Sequence, residues 1–226
     1  MKLNFTLLIL ILAVATSCKK TSNVDLTLST SGKLTYKMLD DAGKGLPNVK
    51  VSLFDYVNDF GTSTILLDTR FTDQNGLVDF GDLNPKTYLV VPDSPMVNNV
   101  KYVPKEFIQV VTGKTKDKVL KVSEYSGTYN FTVKNSNNSN FPAKNIGILM
   151  IPSNRFSYGS SASPYLNVAD FKGTSNDLGQ VSFKVPSNKL YTVFLYNTIT
   201  NNSLGTMNNY MIEKNATVNM PLYVYY

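Results

Sequence analysis

The sequence predicts an all-β chain made of two tandem antiparallel β-sandwich domains, and three observations carry that reading. Apolar residues recur two apart in Val49, Val51 and Leu53, in Val78 and Phe80, and in Tyr129, Phe131 and Val133. That is the period of a half-buried strand and not of a helix. Turn formers punctuate these runs: Gly43, Gly45, Asn75 and Gly76 stand where a tight turn wants positive φ at low cost. The third observation is an internal repeat. Gly32 and Pro47 are spaced as Gly127 and Pro142 are, and Val51 and Leu53 match Ile146 and Ile148 in that register. Gly76, Val78, Phe80, Tyr88 and Val90 match Gly179, Val181, Phe183, Tyr191 and Val193 in a second register. Two registers holding through turn glycines and core positions point to a duplicated unit.

Residues 1–17 read as a signal peptide. Lys2 supplies a positive start, residues 3–14 are almost unbroken apolar sequence, and Ala15-Thr16-Ser17 is a small-residue cleavage context. The apolar run is too short to span a bilayer comfortably. Cys18, the chain's one cysteine, follows at once, then Lys19 and Lys20. This arrangement resembles a bacterial lipoprotein signal, and the resemblance implies cleavage before Cys18 and a lipid anchor on it. In that family an aspartate after the cysteine marks inner-membrane retention and an acidic run marks surface export. Lys19 and Lys20 fit neither, so the resemblance implies the outer membrane of the cell envelope, facing the periplasm. With no second cysteine, the exported domains have no disulfide and must rest on hydrophobic cores. Residues 18–31 are polar and read as the lipidated cysteine and its tether.

Strands are expected at 33–39, 48–55, 65–71, 77–81 and 87–91, with Asn84-Pro85 as a turn. Residues 92–104 hold Pro92, Pro95 and Pro104 and read as a surface loop. Phe107, Gln109 and Val111 begin a further strand, and residues 118–122 close the first domain, 32–122, with Leu120 and Val122 on one face. Lys114, Lys116 and Lys118 share a face at strand period, expected to be the solvated one. Residues 124–126 read as a short linker. In the second domain, 127–226, residues 135–140 form a polar turn, and the apolar run 146–151 reads as a central strand buried on both sides. Residues 152–170 read as a loop carrying Phe156, Tyr158 and Tyr165, strands return at 180–185 and 190–196, and residues 216–226 alternate as a closing edge strand. No window carries an amphipathic helix of three turns.

The pattern Gly-x-Pro, Val-x-Val-x-Leu, Thr-Asp-x-x-Gly-x-Val-x-Phe and Leu-x-Pro-x-x-Tyr-x-Val, read over Gly45 to Val90, resembles the carboxypeptidase regulatory-like domain. Its superfamily includes prealbumin-like modules and the B-type repeats of bacterial collagen adhesins. The second copy follows more loosely, with Asn140 and Phe141 before Pro142, and Ser175-Asn176-Asp177-Leu178-Gly179 for the acidic turn. The resemblance implies a prealbumin-like sandwich and says little of activity, since such modules serve as spacers, binding units and subunit platforms.

Composition narrows the chemistry. The chain has no histidine and no tryptophan, and Cys18 is taken by the anchor. That removes the usual zinc ligands, the Ser-His-Asp and Cys-His arrangements and the commonest general base. Asp40, Asp41 and Asp73 lie at Gly-containing turns and read as turn formers, while Asp73, Asp79 and Asp82 could share one rim and admit a calcium ion. Some collagen-adhesin modules carry a Lys–Asn isopeptide bond; Lys37 and Asn219 lie in suitable strands but in different copies, and read as solvated. The formal net charge of +6 comes from scattered lysines, which suits no nucleic-acid groove. No enzyme and no cofactor are expected. Two classes remain, a structural or protein-interaction lipoprotein and a glycan-binding one. For the second, the ring-bearing candidates are Tyr102, Phe156, Tyr158 and Tyr165. A flat exposed row of rings would favour sugar, and buried or scattered rings the first class.

Overall fold

The computed structural model describes residues 30–57 and 63–225; residues 1–17, read as a signal peptide, Cys18 and most of the expected tether lie outside them. Strict alternation builds the first strand. β1 (Gly32–Leu39) buries Leu34, Tyr36 and Met38 and turns Lys33, Thr35 and Lys37 outward. The chain continues through β2 (Lys50–Val57), β3 (Ser63–Phe71), β4 (Leu77–Leu83), β5 (Thr87–Pro92), a small hairpin of β6 (Met96–Val97) and β7 (Val100–Lys101), β8 (Glu106–Gln109) and β9 (Thr115–Lys121). Its sheets run in the orders β4-β1-β9 and β3-β2-β5-β8.

The second half repeats this plan with β10 (Ser126–Asn135), β11 (Asn138–Pro142), β12 (Ile146–Pro152), β13 (Phe171–Thr174), β14 (Gln180–Pro186), β15 (Tyr191–Asn197), β16 (Ser203–Tyr210) and β17 (Thr217–Val224). β10 lies between β14 and β17, with β11 hairpinned against its end, and the facing sheet runs β13-β12-β15-β16. The fold is an all-β sandwich with antiparallel sheets. One pairing in each half is parallel, β1 with β9 and β10 with β17, because the last strand returns beside the first after the chain has crossed the other sheet.

Inward-facing residues of the sheets form the cores. Leu34, Tyr36, Val51, Leu53, Val78, Phe80, Tyr88 and Val90 sit in the first, and Phe131, Ile146, Ile148, Phe183, Tyr191 and Val193 in the second, with Val181 partly buried against it. β12 is buried along its whole length, as its continuous apolar run predicts.

The two halves correspond strand for strand, with the expected register shifted by two residues in one place. Leu46 N–H donates to Met38 eight residues back, while Ala143 N–H donates to Val133 ten residues back. Two extra residues in that turn pair Asn48, Val49, Val51 and Leu53 with Asn145, Ile146, Ile148 and Met150, correcting the alignment of Val51 with Ile146. A two-residue slip keeps every side chain on its face, so alternation alone cannot detect it. The corner geometry does. Asn48 and Asn145 both have φ of 58°. The Thr72 hydroxyl accepts from Val49 N–H at 2.9 Å and donates to Leu46 C=O at 2.6 Å. The Ser175 hydroxyl accepts from Ile146 N–H at 3.0 Å and donates to Ala143 C=O at 2.7 Å.

Two local expectations change, and the strand expected from Phe107 shows its face. Lys114 and Lys116 are exposed as expected, but Lys118, on the same side of β9 as the buried Leu120, is half-buried and reaches a buried carboxylate at the rim, while Val119 on the other side is exposed. Around β8 the buried residues are Ile108 and Val110, while Phe107 and Val111 are exposed. The 124–126 linker is no free joint. Tyr125 is buried, and its carbonyl accepts from Ser187 N–H and Oγ, both at 3.1 Å.

Thr72→Val keeps the volume but strands a buried N–H and C=O, so urea melts should show a loss of about 1–3 kcal/mol, as they should for Ser175→Ala. Phe183→Ala, removing a ring packed 6.2 Å from that of Phe131, should cost about 3–5 kcal/mol.

Candidate interaction surfaces

The two long irregular segments are drawn onto the sandwich. Within 92–104, the β6–β7 hairpin buries Val97, Val100 and Tyr102 in the first core. Within 152–170, short 3-10 turns at Ser153–Arg155 and Ser163–Tyr165 fold the segment over the outer face of β12 and β15. There Leu149, Ile151 and Phe194 are covered by Ala162 and Tyr165. Tyr165 packs 5.1 Å from Phe194 and 5.2 Å from Phe156, and its hydroxyl donates to Ser157 C=O. Tyr158 alone of the four ring candidates stands open, 82% exposed, with its hydroxyl accepting from Asn208 Nδ2 at 2.9 Å. The four rings therefore form no exposed row.

Sequence reading missed a device that occurs once per half. Lys86 lies 5.3 Å over the Tyr88 ring and pairs with Asp55 at 2.5 Å; Lys189 lies 5.2 Å over the Tyr191 ring and pairs with Asp170 at 2.5 Å. The Lys-x-Tyr spacing in both repeats is the signal that could have found it. Asp170 is nearly sealed, with 4% of its side chain exposed against 22% for Asp55. It also accepts from Tyr191 Oη at 2.8 Å.

Charged groups tie the halves together. Lys189 also donates to Lys101 C=O at 3.2 Å. The buried Glu106 carboxylate accepts from Tyr36 Oη at 3.1 Å, pairs with Lys118 at 3.0 Å and reaches Lys214 of the second half at 3.4 Å. Lys214 in turn sits 4.8 Å over the Tyr125 ring. Between the halves lies a cleft of about 450 Å³ whose lining includes Lys101, Arg155 and Lys189. Burial first, and then the Glu106 carboxylate, push the Tyr36 hydroxyl far above the ordinary phenol range; burial and then Asp170 do the same to Tyr191.

Three exposed aspartates cap their own turns. Asp40 Oδ1 accepts from Ala42 and Lys44 N–H, Asp73 Oδ1 from Asn75 and Leu77 N–H, and Asp79 Oδ1 from Gly81 N–H. Among the described residues no three His, Cys, Asp or Glu side chains converge as metal ligands. Lys37 and Asn219 stand on strands of different halves, and Asn219 Oδ1 accepts from Asn130.

Among the described residues, one apolar face and one long apolar edge stay open. Register places Leu66, Phe54, Leu89 and Phe107 in a row across the outer face of β3-β2-β5-β8, with Tyr56 edge-on to Phe107 at 5.0 Å. The matching face of the second half is the one that 152–170 covers. β3 forms the outermost strand of its sheet, with Ile65, Leu66, Leu67 and Phe71 exposed.

No family model matches the sequence, and a search of curated proteins finds no match. Solved structures do resemble the chain at low identity. The Bacillus anthracis TIE protein matches at 16% identity over 87% of this chain, with a TM-score of 0.37, and the chain spans 34% of that protein. The shaft pilin SpaA from Lactobacillus rhamnosus GG matches at 12% identity over 86% of this chain and 98% of the pilin, with a TM-score of 0.33. GBS52, the minor pilin of Streptococcus agalactiae, matches at 11% identity over 86% of this chain and 96% of its own, with a TM-score of 0.37.

Two outcomes follow from the buried charges and hydroxyls. Lys189→Met, which leaves Asp170 buried without its closest cation, should cost about 3–5 kcal/mol, whereas Lys86→Met should cost under about 1 kcal/mol. Tyr36 and Tyr191 keep their protons in the folded state while the unfolded chain loses them above its phenol value of 10.0. Their contribution is thus complete below that pH and lost as pH rises past it. Urea melts from about pH 8 to about pH 11 should show that decline, and Tyr36→Phe should make it shallower.

Proposed function

We propose that the chain is a lipid-anchored, non-enzymatic protein-interaction module of the cell envelope. Residues 1–17 are its signal peptide, Cys18 carries the lipid, residues 18–31 are the tether, and 32–122 and 127–226 are two prealbumin-like sandwich domains related by duplication. The matching strand orders, corner hydroxyls and Lys-x-Tyr pairs support the duplication. The sequence around Cys18 supports the anchor, with Lys19 and Lys20 favouring the outer membrane and a periplasmic orientation.

One observation carries the interaction role. Asp40, Asp73 and Asp79 cap their own turns and Glu106 and Asp170 are held in buried pairs, whereas the nine-residue strand β3 keeps an open, apolar edge. A rigid sandwich with an unpaired edge is suited to bind another strand through main-chain hydrogen bonds. A saccharide platform would need stacked open rings, and Tyr158 by itself does not supply one.

The anchor is tested by intact mass. A mature chain starting at Cys18 and bearing acyl chains is expected, with Cys18→Ser moving the protein from the membrane fraction to the soluble periplasm. An unmodified mass that retains residues 1–17 would refute it. The interaction role is tested by crosslinking in intact cells, where adducts through β3 are expected. Turnover of a substrate, abolished by one acidic substitution, would overturn the non-enzymatic reading.

A further inference from the structure

β3 differs from every other sheet edge among the described residues. β8 and β13 have four residues each. β16 breaks register twice, β17 contains Pro221, and β14 carries Lys184 and Pro186. β9 carries Lys116, Lys118 and Lys121, and β4 has an irregularity beside Gly81. Short length, lysine, proline and bulges are the usual means of keeping an edge from pairing. β3 runs nine residues, STILLDTRF, without Lys, Pro or Gly; its one irregularity is an extra residue, Leu67, between Leu66 opposite Phe54 and Asp68 opposite Leu53, which leaves residues 68–71 regular.

The edge is also complementary to itself. Thr72 turns both backbone groups toward β2, donating to Val49 C=O and accepting from Asn48 N–H. By alternation Thr69 and Phe71 turn theirs outward; Thr69 N–H is capped locally by Asp68 Oδ1 at 2.7 Å, a bond that the carbonyl of a new strand would replace. Laying a second β3 antiparallel about Thr69 sets Thr69 opposite Thr69 and Asp68 opposite Arg70, and brings the bulged Leu67 beside Phe71. Asp68 and Arg70 already pair at 2.8 Å within the strand and both remain solvent-accessible, so two copies would close a four-membered ring of alternating charge. Opposite charges and apolar pairs placed directly across strands are favourable, and like charges there are not. A dyad pairing also closes after two copies, so the edge is consumed without growing a fibre.

We propose that the chain forms a twofold homodimer by antiparallel pairing of β3 with β3 about Thr69, joining two four-stranded sheets into one of eight strands. This rests on the reading of the chain as an interaction module and names the partner as a second copy. The test is independent of Cys18, so a failure here leaves the anchor standing.

The chain carrying Cys18→Ser should sediment as a concentration-dependent dimer. Asp68→Arg and Arg70→Asp each bring like charges face to face, and each should raise the dissociation constant at least about tenfold. Combining them restores opposite pairs and should recover dimer to within about threefold. Arg70 also donates to Asp79 C=O and lies 5.9 Å over the Phe80 ring, so thermal melts of each variant must first show an intact fold. Thr69→Cys in the same background supplies the only thiol on the dyad and should give a disulfide-linked dimer under mild oxidation. Val119→Cys, exposed on β9 of the other sheet, should not. A monomer at all concentrations, a dimer indifferent to both single charge reversals, or crosslinking through Val119→Cys but not Thr69→Cys would overturn the proposal.

Discussion

A buried hydroxyl at each sandwich corner fixes how the two sheets of that half are joined. A hydroxyl can accept and donate at once, so Thr72 satisfies an N–H and a C=O that belong to different stretches of one turn. Ser175 does the same in the second half. Just before Val49 and Ile146, whose N–H groups these hydroxyls accept, sits an asparagine in the left-handed region, Asn48 or Asn145, which lets the chain swing into β2 or β12. If the hydroxyl were misplaced by one residue, every side chain of the following strand would turn to the wrong face. Both cores therefore inherit their inward sets from this contact.

Much of the architecture was legible in the sequence because strand period and turn chemistry are local. Val51, Leu53, Val78 and Phe80 announce their face without help from the rest of the chain. The two-residue insertion was not legible, since a shift by the strand period leaves hydrophobic alternation unchanged. Lys118 of β9 misled for a different reason. A lysine on the inward side of a strand end can lay its stem along the core and deliver its charge to Glu106, and the identity of that partner is a long-range fact. The tyrosines show the same limit. Tyr102 and Tyr165 lie in segments rich in turn residues, and nothing local says that their rings turn inward as pins. The open edge at β3 depends on which strand neighbours which, so a run of exposed leucines could not be told from a buried one.

The junction is built from charges that are scarcely hydrated. Glu106 draws on β1, β9 and the segment ahead of β17, while Asp170 holds Lys189, whose other contact is a carbonyl of the first half. Removing water from a carboxylate is costly unless hydrogen bonds and cations replace it, and here the replacements come from several elements at once. Each such carboxylate specifies a mutual placement of strands that apolar packing by itself would leave looser. The buried Tyr125 between them adds bulk where a flexible linker would otherwise let the halves swing.

The parallel pairing of first and last strands has a mechanical side. Because β1 and β9 run the same way, the chain enters each sandwich at one end and leaves at the other, roughly 20 Å away along a seven-residue ladder. β10 and β17 repeat the geometry. Tension drawn along the polypeptide therefore pulls the two strands past each other, loading all their rungs together and not one at a time as in a zipper. The same ladder that completes the fold makes each half a link able to bear load in series.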